Sequence, residues 1–336
     1  MTTWFETLTG VREVSPHHVR ENLVVEAELL KSRITGNLFV CGRLETPSLA
    51  ELRERVRSSA HRSDKISVRE VVANVQSLHC DEANAGSLFQ VASQFNLLEM
   101  VGPGVTPEHG VGIYENDRTQ GPACAIAAGA GTIYRNYFAV VNGQTGQTVG
   151  NQIDCLADLG AALGNSNNRL WAMTNGYAQA SANGLNEIST RLRASREHQF
   201  DELRKLLRIG IQWNTQVTLK DCRHLVSQAY CSALPVAYSR HPSHLWEPFA
   251  RLVLESSYEA TICAGVLNSL STGNRTLFLT LLGGGAFGNA TEWITGAIER
   301  ALKLYAHVDL DVAIVSYGSS NQRVQQLVDR FSRVGR

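Results

Sequence analysis

The stretch that decides the fold is TLFLTLLGGGAFGNATEWITGAIERAL, residues 276–302. It opens with an apolar run typical of a buried strand, and a helical pattern begins at Thr291, directly after a glycine-rich loop. Glycines let the backbone approach a ligand closely, and the first turn of a helix offers unpaired N–H groups with partial positive charge. The stretch therefore predicts a strand, a phosphate-binding loop and a helix in succession. The alternative is a tight turn in which the glycines serve only packing.

Outward from this stretch, short β-rich runs alternate with longer helical patterns from Val68 onward, which predicts an α/β fold with helices on both faces of a sheet. Residues 1–66 form a predicted N-terminal extension, and residues 67–336 the predicted main domain. The candidate strands are Leu88–Ala92, Ala123–Ala127, Tyr137–Val141, Leu225–Ala229, Thr276–Leu282 and Val312–Tyr317. The candidate helices are Ser48–Ser59, Asn151–Leu163, Leu185–Ile211, Trp246–Leu270, Thr291–Ala306 and Asn321–Ser332.

The composition excludes several classes of function. The chain has 336 residues with 43% hydrophobic and 18% charged residues, enough for a sizeable core. Lys+Arg and Asp+Glu both number 31, so the balanced charge argues against a nucleic-acid or membrane-surface partner. No apolar run approaches the ~20 residues of a membrane span, and no secretory signal is visible. Seven cysteines, an odd number without a CxxC pair, favour reduced thiols in the cytoplasm and argue against structural zinc.

The charge is distributed unevenly along the chain. Between Arg69 and Arg118 there is no Lys or Arg, yet this interval holds seven acids. They are Glu70, Asp81, Glu82, Glu99, Glu108, Glu115 and Asp117. The later ones lie in a segment rich in Gly and Pro, which predicts a long loop, and long loops inside compact domains are usually functional.

A strand followed by GGGAFGN and a helix resembles the phosphate-binding loop of macrodomains, most closely in the poly(ADP-ribose) glycohydrolase branch. Residues 88–96, LFQVASQFN, occupy the place of that branch's strand ending in VDFAN, and residues 315–318, VSYG, resemble its TFG segment. The three matches keep the family's order over residues 68–333. Residues 92–124 also resemble MavL-type ADP-ribosyl hydrolases, macrodomain enzymes found among bacterial effectors. The resemblance implies a macrodomain-like three-layer α/β/α sandwich with a mixed sheet.

The resemblance also implies a set of ligand contacts. Asn96 would contact the distal ribose, Tyr317 would pack against ADP-ribose, and Asn74 falls where many macrodomains carry an adenine-recognising Asp. Apart from the resemblance, the polar side chains of Thr119 and Gln120 are expected to hydrogen-bond ribose or phosphate, or only to cap the strand predicted to follow. The predicted substrate-binding residues are Asn74, Asn96, Thr119, Gln120, Gly283, Gly284, Gly285, Ala286, Phe287, Gly288, Asn289 and Tyr317.

Two departures from the family pattern bear on the substrate. Leu97-Leu98-Glu99 stands in place of the family's glycine triplet, and Tyr114-Glu115-Asn116-Asp117 in place of the tandem QEE of poly(ADP-ribose) glycohydrolases. These differences argue against cleavage of poly(ADP-ribose) chains and favour removal of mono-ADP-ribose.

The acids of the loop suit that chemistry. Cleavage at the anomeric carbon of ribose develops oxocarbenium character, which one carboxylate stabilises while another activates water. We predict Asp117 and Glu108 for acid–base and water-positioning work, with Glu115 as the alternative. Glu99 is predicted to bind the leaving group, which would be an arginine guanidinium held by paired hydrogen bonds. The alternative is a solvated acidic loop without catalytic function.

The expected function is therefore a hydrolase that removes mono-ADP-ribose from protein side chains, most readily from arginine. The implied partners are ADP-ribose and an ADP-ribosylated protein, for which ubiquitin is a candidate, and no metal or cofactor is expected. A non-catalytic ADP-ribose-binding module and a hydrolase of free ADP-ribose derivatives remain the alternatives. Less favoured uses of other residues are Cys124 as a nucleophile with His79 or His109, a metal at His241 and His244, and magnesium on the acids.

Overall fold

The computed structural model describes residues 2–60 and 64–334, with side chains to residue 331. The strands are β1 (Leu23–Glu26), β2 (Leu29–Ser32), β3 (Leu38–Val40), β4 (Arg43–Glu45), β5 (Ser67–Val72), β6 (Leu88–Ala92), β7 (Val140–Val141), β8 (Gln144–Thr145), β9 (Trp171–Thr174), β10 (Tyr177–Ala180), β11 (Gly210–Gln216), β12 (Leu225–Cys231), β13 (Thr276–Leu279) and β14 (Asp311–Ser316). The helices are α1 (Trp4–Thr9), α2 (Pro16–Asn22), α3 (Leu49–Arg57), α4 (Val75–Cys80), α5 (Gln120–Ala127), α6 (Gly129–Tyr137), α7 (Ala157–Leu163), α8 (Ala182–Ala194), α9 (Glu197–Arg204), α10 (Ser243–Thr272), α11 (Thr291–Leu304) and α12 (Gln322–Val334).

A seven-stranded mixed sheet of order β4-β11-β12-β6-β13-β14-β5 forms the centre of the fold. The five strands from β12 to β5 are parallel, whereas β11 pairs antiparallel with both β12 and β4. Parallel strands bring their carboxyl ends to one edge of a sheet, and ligands of open α/β sheets bind at that edge. The loops after β5, β6, β13 and β14 therefore meet there.

Helices cover both faces of this sheet. On β12, the Gln228 side chain donates to the Cys124 carbonyl in α5, while Cys231 contacts Thr261 of α10 on the opposite face. Helices α4, α5 and α6 cover the first face, and α3, α8, α9 and α11 pack around α10 on the second. The three-layer α/β/α sandwich with a mixed sheet, as expected from the sequence, is confirmed.

Two of the secondary-structure predictions are wrong. The first is explained by local helix propensity. Residues 123–127, predicted as a strand, belong to α5, because an alanine-rich run favours a helix and Pro122 sits in the first turn, where proline is tolerated. The long helix predicted from Leu185 to Ile211 is interrupted after Ala194 and Arg204, and Gly210 already begins the buried strand β11. Tertiary pairing of β11 with two neighbours overrides the helical pattern there.

Two other elements are shorter than predicted, and one hairpin was not predicted at all. Tyr137 ends α6, so only Val140–Val141 of the predicted strand is extended, and the helix predicted from Asn151 begins at Ala157. The β9–β10 hairpin turns at Asn175-Gly176, whose φ angles of 47° and 80° are both left-handed, as two-residue hairpin turns require. The remaining predicted strands and helices are confirmed within a few residues.

The first 66 residues contribute to the sandwich, since β4 adds an edge strand and α3 packs on α10. The domain division at residue 66 stays a prediction. Within the described ranges, no helix is long and apolar enough to cross a membrane.

Candidate functional site

Two adjoining cavities lie at the carboxyl ends of the parallel strands. The inner cavity, of about 160 Å³, runs from Glu99 to the glycine loop after β13, and the outer cavity, of about 550 Å³, runs from Asn74 to Tyr317. The residues that line both are Asp117, Thr119, Gln120 and Thr280. The two cavities thus form one elongated cleft.

The glycine loop has the backbone shape that the sequence predicts. Gly283 and Gly288 have φ angles of 74° and 69°, and a Cβ at Gly283 would lie 2.4 Å from Cβ of Ala233. Glycine is therefore required at position 283. The buried side chain of Asn289 donates to the Leu234 carbonyl at 2.8 Å, and its backbone N–H donates to the Gly283 carbonyl at 2.9 Å. Asn289 thus closes the loop from beneath.

Three consecutive amides of this loop are available to a ligand. In the described part of the chain, the N–H groups of Gly285, Ala286 and Phe287 donate to no protein acceptor, and all three residues line the inner cavity with Gly283. Gly284 and Gly288 are exposed and lie outside that lining. Helix α11 begins three residues after Gly288. Free amides beside a helix N-terminus attract an anion such as a diphosphate.

Glu99 lies on the inner wall of the cleft and is 2% exposed. Nη2 of the buried Arg135 donates to both of its carboxylate oxygens at 3.3 Å, and the Tyr114 hydroxyl accepts its backbone N–H at 3.1 Å. Burial raises the pKa of Glu99 to about 7, although Arg135 acts in the opposite direction. Such a carboxyl can both donate and accept a proton near neutral pH.

A glycine makes room for this carboxyl at the start of α5. A Cβ at Gly121 would lie 3.2 Å from Cγ of Glu99 and 1.9 Å from the Ala92 carbonyl oxygen. Any larger residue at position 121 would push against β6 and against Glu99 together. The small residue is therefore what allows Glu99 to line the cavity.

Asp117 and Glu115 also reach the cleft. Asp117 lines both cavities. Its Oδ1 accepts the Thr119 N–H at 2.8 Å, and this bond fixes the backbone directly before α5. Glu115 lines the outer cavity and accepts the Trp4 N–H at 3.0 Å. The structure thus brings three of the four predicted catalytic acids to one cleft.

Gln120 and Thr119 differ in their surroundings. Oε1 of Gln120 accepts the Ala92 N–H, and its Nε2 donates to the Gln90 carbonyl, both at 2.9 Å. Gln120 therefore joins α5 to the end of β6, in addition to lining both cavities. Thr119 is exposed, so its hydroxyl is accessible to a ligand.

Asn74 and Tyr317, two of the predicted ligand-binding residues, line the outer cavity. Oδ1 of Asn74 accepts the Gln76 N–H at 2.8 Å and caps α4, which leaves its Nδ2 without an acceptor among the described residues. Tyr317, directly after β14, is 82% exposed, an unusual position for a large ring unless it serves recognition. Arg118 lines the same cavity. Sequence reasoning missed Arg118, because it is a single basic residue that directly follows the acidic stretch of residues 70–117.

Five predicted residues do not line the cleft, namely Gly284, Gly288 and Asn289 of the glycine loop, and Asn96 and Glu108. Asn96 is fully buried, donates to Oε1 of Gln152 at 2.8 Å and accepts the Leu98 N–H. The chain reverses here, with φ of 65° at Leu97, so that Asn96 turns inward while Ser93 and Gln94 line the cavity. Glu108 is exposed and accepts the Val149 N–H at 2.8 Å, away from both linings. The contacts predicted for Asn96 and Glu108 therefore lack support in the structure.

An aromatic wall closes the inner cavity. The rings of Tyr177, Tyr238 and Phe287 lie 5.3–5.6 Å apart, centroid to centroid. Sequence reasoning missed Tyr177 and Tyr238. The Asn175-Gly176 turn signal could have revealed the hairpin that places Tyr177, whereas Tyr238 has no comparable signal.

The other candidates lack suitable geometry. Cys124 is buried outside both linings, and burial raises the pKa of its thiol. His79 is buried against Phe89, and burial lowers its pKa to about 4. Within the described ranges, no cluster of three or more His, Cys, Asp and Glu side chains could hold a metal ion.

No family model and no curated protein matches this sequence. Among solved structures, the fold is similar to poly(ADP-ribose) glycohydrolase from Deinococcus radiodurans in complex with ADP-ribose, at 12% identity over 87% of this chain and 92% of that chain, with a TM-score of 0.44. It is also similar to the Thermomonospora curvata enzyme bound to the inhibitor ADP-HPD, at 12% identity over 95% and 96%, with a TM-score of 0.42. At this identity the likenesses assign no activity to this chain.

Proposed function

We propose that this protein is a glycoside hydrolase that removes mono-ADP-ribose from arginine side chains of modified proteins. The observation that carries the proposal is the continuous cleft, in which free loop amides and two carboxyl groups, those of Glu99 and Asp117, line the same cavity. The likeness of residues 92–124 to MavL-type hydrolases, noted in the sequence, agrees with this substrate.

The cleft suits an elongated ligand with distinct ends. Adenine would stack on Tyr317 and accept from Asn74 in the outer cavity. The diphosphate would lie on the amides of residues 285–287, with Arg118 as an added cation. The distal ribose would then lie in the inner cavity beside Glu99 and Asp117.

The two carboxyl groups have complementary tasks in the proposed reaction. As the bond between the anomeric carbon and the guanidine nitrogen breaks, protonated Glu99 donates its proton to the leaving nitrogen. Asp117 accepts a proton from the water whose oxygen adds to the anomeric carbon. The products are ADP-ribose and the arginine cation, and a proton then returns from Asp117 to Glu99 through solvent. Acid–base help of this kind contributes about 10²–10⁴-fold in rate.

The walls of the inner cavity favour a cationic leaving group. Its described lining residues include two acids, three aromatic rings and no Lys or Arg. A guanidinium gains from stacking on aromatic faces and from carboxylate acceptors. An acidic or serine side chain as the modified group would find no such match.

A release assay tests the proposal. Protein modified with ADP-ribose on arginine, with modified ubiquitin as one substrate, is incubated with wild type and with Asp117→Ala, and the loss of mass is followed. We expect release by wild type and a loss of at least 10²-fold in Asp117→Ala. Calorimetry with ADP-ribose runs in parallel, because tight binding without release by the wild type would indicate a non-catalytic binding module. Turnover of free ADP-ribose derivatives alone would indicate the other alternative.

A further inference from the structure

Through the half-buried side chain of Glu13, the N-terminal segment contacts the loop of residues 110–117. The Glu13 carboxylate accepts the Val111 N–H at 2.8 Å with Oε1 and the Gly112 N–H at 2.7 Å with Oε2. The Tyr137 hydroxyl donates to Oε1 at 2.6 Å from α6. This half-buried carboxylate is thus held by three donors from two separate elements, the loop and α6.

The loop sequence is adapted to this carboxylate. A Cβ at Gly110 would lie 2.5 Å from Cδ of Glu13, and one at Gly112 would lie 2.7 Å from its Oε2. A side chain at either position would displace the Glu13 carboxylate from the two amides that it accepts. The two glycines, which the sequence shows only as loop residues, therefore leave the space that the Glu13 carboxylate occupies.

The first helix adds two further bonds to the same segment. The Trp4 indole donates to the Val111 carbonyl at 3.0 Å, and the Trp4 backbone N–H donates to Glu115 Oε2, also at 3.0 Å. Because Glu115 lines the outer cavity, this second bond orients a side chain of the cleft itself.

A few hydrogen bonds connect the Glu13 contact to Glu99 and Asp117, the two proposed catalytic acids. Residues 112–116 form a 3₁₀ turn that begins at the amide bound by Glu13. Within that turn, the Tyr114 hydroxyl accepts the Glu99 N–H, and the Tyr114 carbonyl accepts the Asp117 N–H at 3.1 Å. A shift of the turn would move the backbone of both acids.

We propose that Glu13 is a positioning residue, which holds the loop of residues 110–117 so that Glu99 and Asp117 take their places in the cleft. The expected effect of Glu13 on catalysis rests on the proposed function. Its effect on the order of the loop does not depend on that function. The N-terminal segment then supports the site from outside, since none of its described residues lines either cavity.

The test uses the full chain with Glu13→Ala and Glu13→Gln, and Glu21→Gln is the control. Glu21 is an exposed acid whose ion pair among the described residues is with the exposed His17. In Glu13→Ala we expect amide exchange of residues 110–117 to rise at least tenfold, with exchange of α10 and β12 unchanged. We expect kcat on arginine-modified protein to fall at least tenfold, with the Kd for ADP-ribose changed less than twofold. Glu13→Gln should recover part of both losses, because its amide oxygen still accepts one of the two loop N–H groups.

Unchanged exchange in the loop, or an equal rise across the whole chain, would overturn the positioning role. A wild-type kcat in a Glu13→Ala protein with a loosened loop would also overturn it. If Glu13→Ala fails to fold, Tyr137→Phe removes one of the three bonds, and loop exchange must then rise by a smaller factor. A wild type without hydrolysis refutes the proposed function instead, while loop exchange still decides the role of Glu13.

Discussion

Glu99→Gln tests the proposed chemistry most directly, because it keeps the shape of the side chain and removes its titrating proton. Burial raises the pKa of Glu99 from 4.5 to about 7. The protonated fraction therefore falls from roughly nine tenths at about pH 6 to roughly one tenth at about pH 8. Since the protonated carboxyl is the proposed donor, kcat of the wild type should fall about tenfold across this interval.

In Glu99→Gln, we expect kcat to be about 10²–10⁴-fold lower, KM to change less than about threefold, and the alkaline decline of kcat to disappear. Release of ADP-ribose from arginine-modified protein, followed across this pH range, measures all three. Glu82→Gln is the matched control, since Glu82 is an exposed acid of the same stretch outside both cavities. Wild-type turnover in Glu99→Gln, or an unchanged alkaline decline, would refute the assigned role.

Stability supplies an independent readout of the same residue. Because the pKa of Glu99 is higher in the folded protein, its proton stabilises the fold fully below about pH 4.5, and this contribution is lost as pH rises through about 7. The free energy of unfolding of the wild type should therefore decline across that window relative to Glu99→Gln. Urea denaturation at several pH values measures the difference, and parallel curves would contradict the burial argument.

Three further predictions concern the ligand contacts. Gly285→Val should raise the Kd for ADP-ribose about tenfold or more, measured by calorimetry, with Tm changed less than about 2 °C, because a Cβ there meets no protein atom within 4 Å. Unchanged affinity would place the diphosphate elsewhere. Tyr317→Ala should weaken the same binding by about 1–3 kcal/mol and leave stability unaltered, since the ring is 82% exposed; a drop in Tm instead would mean that the ring supports the fold. Asn289→Ala should destabilise by about 1–3 kcal/mol in chemical denaturation, because it leaves the Leu234 carbonyl unpaired, and wild-type stability would show that the loop closes without it.

Local signals in the sequence anticipated the glycine loop well. The apolar run before Gly283, the glycines and the helix that begins at Thr291 are neighbours in the chain, so their spacing alone predicts their order in space. The same reasoning failed for β11, because its place beside β12 depends on pairing with a segment that no local pattern identifies.

The acidic interval shows where local information ends. Glu99, Glu115 and Asp117 line the cleft. Glu70 lines neither cavity, because it lies on the edge strand β5 and accepts hydrogen bonds from Ser316 and Asn321. The sequence presents these acids as one uncompensated group. The fold separates them, because each acid follows the path of its own backbone segment.

By itself, the sequence determined the α/β class and the succession of a strand, a glycine loop and a helix over residues 276–302, which depend on residues close together in the chain. Only the tertiary structure decided that Asn96 turns inward, that Glu108 lies apart, and that Glu13 reaches the acidic loop. The physical reason is that periodicity and turn chemistry act over a few residues, whereas a catalytic cleft depends on long-range pairing and on chain reversals such as the left-handed turn at Leu97.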